Sequence, residues 1–62
     1  MKEVLILTIG EKITSLRTAN NISQEQLAEK LDVSRQSVSK WEMDQALPQI
    51  DKVLSICSLF GI

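Results

Sequence analysis

Arg35 and Lys40 are the two charges in the stretch from Val33 to Trp41, and no acidic residue lies between those ends. Five residues apart on a helix, a guanidinium and an ammonium form a basic edge suited to an anion such as phosphate. The acidic residues Glu25, Glu29 and Asp32 all fall in the segment before it. The formal net charge of −1 lacks the basic excess common in nucleic-acid binders, but a near-neutral sum can coexist with one basic face. Catalysis has little to work with: the chain has no histidine, one cysteine and 62 residues, too few for a sequestered cleft, so neither an enzyme, a metal site, a cofactor nor a small-molecule pocket is expected. Cys57 sits among Leu54, Ile56 and Leu59 and is expected to act as a small buried hydrophobe.

Helices are needed to carry this edge, and the spacing of apolar residues supplies them. Ile9, Ile13, Leu16 and Ala19 recur at helical intervals and place a helix over about 9–20. Thr8 with Glu11 reads as a capping box at its start, and Asn20 with Asn21 as its stop. Ser23 with Gln26 opens a second helix, with Leu27, Ala28 and Leu31 on its apolar face. After Asp32 and Val33, Ser34 caps a third helix over about 35–43, in which Val38 and Trp41 share a face. Pro48 is expected in the first turn of a fourth, whose apolar face is Ile50, Val53, Leu54, Cys57 and Phe60, ended by Gly61. The result is a compact all-α domain with no internal repeat.

The segment Ser23 to Glu42 has the composition for two short helices crossing at close range. Ala28 is small at the point of approach, while Leu27, Leu31, Val33, Val38 and Trp41 fill the wedge between them. Together with Ile9 to Ile13, Leu16 and Arg17, the run Ile22 to Ala28, Val33 to Gln36, Ser39 to Glu42, and Leu47 with Pro48, this pattern resembles the Xre family of helix-turn-helix proteins, the lambda-repressor and Cro-like regulators. The likeness runs from about Ile9 to Gly61. It implies a four- to five-helix lambda-repressor-like DNA-binding domain over 9–62, behind an apolar extension at 1–8.

The resemblance further implies a transcriptional regulator, of the repressor type, that binds a double-stranded DNA operator as a homodimer, with the third helix in the major groove. Arg35, Gln36, Ser39 and Lys40 are then the base contacts: arginine can pair with a guanine edge and glutamine with adenine, each good pair contributing about 1–3 kcal/mol of discrimination. Gln24, Ser34 and Ser37 are the phosphate contacts. Arg17 and Glu42 form a structural pair, which with Ala28, Val38 and Trp41 supports the reading helix. An antitoxin or protein-interaction module on the same fold is the alternative, favoured by the acidic balance and the apolar start. The lone cysteine and the lack of a membrane span or leader fit a cytoplasmic protein.

Two departures from the family pattern stand out. Asp32 occupies a turn position usually held by glycine, which asks a non-glycine residue for positive φ and sets a negative charge near the DNA. A fifth helix, common in the family beyond the position of Ile62, would leave uncovered apolar surface where it is missing. Val4 to Leu7 is expected to pack there, near Ile56, Leu59 and Phe60, within one chain or across a dimer. Removing residues 1 to 7 is expected to lower the melting temperature, and an unchanged melting temperature and oligomeric state would rule this packing out.

Overall fold

A computed structural model describes residues 8–62. The packing expected of Val4 to Leu7 therefore lies outside the described residues. Four helices follow in order: α1 (Ile9–Ala19), α2 (Gln24–Leu31), α3 (Arg35–Glu42) and α4 (Ile50–Phe60). Among the described residues there is no strand, and no helix is long and apolar enough to cross a membrane.

The helix starts follow from side-chain chemistry. Thr8 Oγ1 accepts from the Glu11 N–H at 3.1 Å, and the Glu11 carboxylate accepts from the Thr8 N–H at 3.0 Å. Ser23 and Gln26 exchange the same two bonds at 3.0 and 2.9 Å. Ser34 Oγ accepts from the Ser37 N–H at 3.2 Å. Each cap satisfies backbone donors that the first helical turn cannot satisfy internally. The ends are set by residues that tolerate left-handed backbone: Asn21, Asp32 and Asp44 all take φ of 58°, and Gly61 takes 71°. At Asp32 this reversal makes the tight turn from α2 into α3 that the sequence demanded of a non-glycine residue.

Three local expectations are corrected. Pro48 is outside α4, because Gln49 has the extended backbone of an N-cap and the helix begins at Ile50. Pro48 instead packs as a buried residue just before the cap. On α4, Ile50 and Leu54 face solvent at 73% and 62% exposure, and the residue that enters the core is Ile56. On α1, Ile9 is 47% exposed and the buried positions are Gly10 and Ile13. Both shifts have one cause: each helix is amphipathic over a wide stripe, and contact with its neighbours selects which edge of that stripe is covered.

The core joins all four helices through Ile13, Leu27, Ala28, Leu31, Val38, Trp41 and Ile56, with Ile22, Val33 and Phe60 packed against it. Leu27 and Val38 are fully enclosed where α2 crosses α3. Burial of one such side chain contributes about 1.5–3 kcal/mol. Cys57, expected inside, is half-buried. It lines an apolar groove of about 220 Å³ between α1 and α4, together with Ile13, Leu16, Val53 and Ile56.

Gly10 is required by a close approach. A Cβ there would lie 2.8 Å from the Glu42 carbonyl oxygen and closer still to that of Trp41. Both obstacles are backbone at the end of α3, so neither can rotate away. Gly10→Ala is expected to destabilise the domain by about 1–3 kcal/mol, lowering its melting temperature by roughly 5–20 °C. Thermal unfolding followed by circular dichroism measures the difference.

Candidate nucleic-acid interface

The serine cap and the Asp32 reversal aim α3 so that its first turn and one side meet solvent. Arg35, Gln36 and Lys40 are exposed, and Ser39 is half-buried between them. These four line one shallow concavity of about 290 Å³, completed by Met43 and Gln45. The four residues singled out as base contacts thus share one surface. Val38 and Trp41 lie on the opposite side of α3, in the core.

Behind this surface a single carboxylate gathers three helices. Glu42, the last residue of α3, accepts from Arg17 Nε at 2.6 Å and from Arg17 Nη2 at 3.1 Å. Arg17 also donates through Nη1 to the Ile22 carbonyl at 2.9 Å, tying in the loop that leads to α2. Gln24, the first residue of α2, donates to Glu42 Oε1 at 3.0 Å, and its own Oε1 accepts from Arg35 Nη1 at 3.1 Å. A chain of bonds therefore runs from α1 through Glu42 and Gln24 to the guanidinium at the head of α3. Gln24 links Arg35 to the scaffold, which sequence spacing alone did not indicate.

Burial pushes the Glu42 carboxyl up, since only 6% of its side chain is exposed. The bonds from Arg17 and Gln24, with the Arg17 charge, outweigh that desolvation and hold the group below its ordinary value. A depressed folded-state pKa contributes stability that is present above the unfolded value and is lost as pH falls through the folded one.

The residues expected to contact phosphate differ in what remains available. Ser34 Oγ already serves as the cap of α3, and the two hydroxyls of Ser34 and Ser37 lie 3.1 Å apart. The Ser37 N–H is engaged by that cap, which leaves Ser37 its hydroxyl. Gln24 has its carboxamide committed to Glu42 and Arg35, so a phosphate at this end of α2 would be met chiefly by backbone N–H groups.

Two further residues join the site. Gln45 lies at the rim of the concavity, its N–H donating to the Lys40 carbonyl at 2.8 Å. Asp44 turns its carboxylate back onto α1, accepting from Gly10 N at 3.1 Å and Thr8 Oγ1 at 2.8 Å. Both fall where the apolar periodicity lapses, so no pattern marked them. The one available signal was an aspartate where a turn needs a left-handed residue.

This arrangement, a short helix packed across a second that presents a polar non-acidic edge, defines a helix-turn-helix domain. The helix-turn-helix family model matches residues 13–62, and the chain belongs to that family. It is 41% identical over 56 residues to the HTH-type transcriptional activator BcrR of Enterococcus faecalis, covering 90% of this chain and 28% of that protein. It is 30% identical over 56 residues to the immunity repressor protein of Bacillus phage phi105, covering 90% of this chain and 39% of the repressor. A third relative, the uncharacterized HTH-type transcriptional regulator YonR from the SPbeta prophage of Bacillus subtilis strain 168, is 28% identical over 53 residues, covering 86% of this chain and 49% of that protein. The chain thus spans less than half the length of each of these relatives. No solved structure matches it.

Acid titration tests the central carboxylate. Stability is expected to fall as pH drops below the ordinary glutamate range, and Glu42→Gln is expected to flatten that part of the profile. Arg17→Ala, which strands Glu42 without its cation, is expected to cost about 3 kcal/mol at neutral pH. Urea unfolding at several pH values measures both effects.

Proposed function

We propose that this domain binds double-stranded operator DNA and regulates transcription, with α3 in the major groove. Arg35, Gln36, Ser39 and Lys40 are the residues we assign to base edges. Gln24, Ser34 and Ser37, with the backbone N–H groups at the two helix starts, are those we assign to phosphates. One observation carries this reading: four donor-bearing side chains share a single face of α3 with no carboxylate among them. The tether from Gln24 to Arg35 supports it by restricting the arginine before DNA arrives.

We assign the protein a repressor's role, acting by occupying its operator, and no reaction. The similarity to a phage immunity repressor supports that sign, while the similarity to a named activator makes it a point for a reporter assay. Cytoplasmic DNA is the partner we assign.

A homodimer is the functional unit we infer. One eight-residue reading helix offers few base contacts, and a second copy on a symmetric site doubles them. Ile50 and Leu54, one turn apart on α4, are exposed at 73% and 62%, and Leu47 just before that helix at 72%, apolar surface that a second copy would cover.

Selection from a random duplex pool is expected to yield two half-sites about 34–36 Å apart. With the selected duplex, Arg35→Ala is expected to weaken binding by about 1–3 kcal/mol and to relax preference at one base pair, and Lys40→Ala is expected to weaken binding and to relax preference at another. Binding that is insensitive to both variants and to salt would sink the DNA-reading assignment. Recovery of single, unpaired sites would sink the dimer.

A further inference from the structure

Asp44 stands in sequence between Met43 and Gln45, two residues that line the reading concavity, yet its own carboxylate is turned away from that surface onto α1. Asp44 begins two residues after the end of α3 and has left-handed backbone, with φ of 58°. Its N–H donates to the Trp41 carbonyl at 3.1 Å. Its two carboxylate oxygens then reach across to the start of α1, 34 residues earlier in sequence, taking Gly10 N at 3.1 Å and the Thr8 hydroxyl at 2.8 Å.

The contact is an N-cap supplied from a distance. Thr8 satisfies the Glu11 N–H, and Asp44 satisfies the Gly10 N–H that Thr8 does not reach. A carboxylate at a helix N-terminus also meets the positive end of the helix dipole. Gly10 itself sits so close to the Trp41 and Glu42 carbonyls that any larger residue would collide with them. The start of α1 and the exit of α3 are therefore held together twice, by packing at Gly10 and by the Asp44 carboxylate. The next residue, Gln45, lies in the reading concavity beside Lys40.

We propose that Asp44 is a positioning residue for DNA reading: by clasping the start of α1 it fixes the exit of α3, and with it where Lys40 and Gln45 stand against the DNA. The inference rests on the DNA-binding reading above. Opposite signs separate it from simple electrostatics. A residue that only repels phosphate gives tighter binding when its charge is removed, whereas a positioning residue gives looser binding when its clasp is removed.

The test uses the full chain and a duplex recovered by selection, in anisotropy titrations well below the melting temperature of each variant. Asp44→Gly keeps a residue at ease with positive φ and removes the clasp together with the charge, whereas Asp44→Asn removes the charge alone. Asp44→Gly is expected to weaken binding about fivefold, the equivalent of about 1 kcal/mol, and to alter preference at the base pairs next to Lys40 and Gln45 while sparing those read by Arg35. Asp44→Asn keeps an acceptor for Gly10 N and tolerates the same backbone, and it is expected to stay within about twofold of the wild type. A merely destabilising loss would leave the pattern of base preference unchanged. Asp44→Gly binding as tightly as wild type, or more tightly, or with the same preferences, overturns the proposal. Failure of the wild-type chain to bind any duplex overturns the DNA-binding reading instead.

Discussion

The placement of the reading helix depends on the Arg17 to Glu42 ion pair. Its two bonds join the last turn of α1 to the last residue of α3, and the remaining hydrogen bonds of both partners reach the loop before α2 and the first residue of α2. A pair so far removed from water gains little net stability over apolar residues of the same shape, because desolvation offsets most of the attraction. It does impose direction. Apolar packing between α2 and α3 tolerates small rotations, whereas a bidentate guanidinium and a shared carboxylate oxygen tolerate few.

That directional network extends to the protein surface. Gln24 is both a partner of Glu42 and the acceptor that holds Arg35, so the orientation of an exposed side chain is tied to a buried charge. At the other end of α3, Asp44 performs the corresponding task for the helix exit. The eight residues of α3 are too few to be stable as a helix alone, and their direction is set at both ends by contacts from α1 and α2.

Charge is distributed to match. The chain carries a formal −1, but Glu25, Glu29 and Asp32 are exposed on α2 and its turn, while the concavity of α3 is lined by Arg35, Gln36, Ser39, Lys40, Met43 and Gln45. Asp32 and Asp44 put negative charge on either side of α3 in sequence because each occupies a left-handed position that most side chains resist. In both places the needs of the backbone outweigh the electrostatics of the face.

The sequence by itself determined the helices, their caps at Thr8, Ser23 and Ser34, the wedge of Leu27, Ala28, Leu31, Val38 and Trp41, and the family. Those features are local or periodic, and capping and burial are decided within a turn or two of the chain. It did not determine which edge of each amphipathic stripe is covered: the periodicity of α4 includes Ile50 and Leu54, whereas the core takes Ile56, and Pro48 lies before the Gln49 cap rather than in the first turn. The bridge from Gln24 to Arg35 and the clasp from Asp44 to Gly10 were decided only by the tertiary structure. These are single polar contacts between residues 11 and 34 positions apart, and they exist only once the helices have crossed. The basic edge that Arg35 and Lys40 marked in the sequence is thus a held surface, and what holds it lies mostly on other helices.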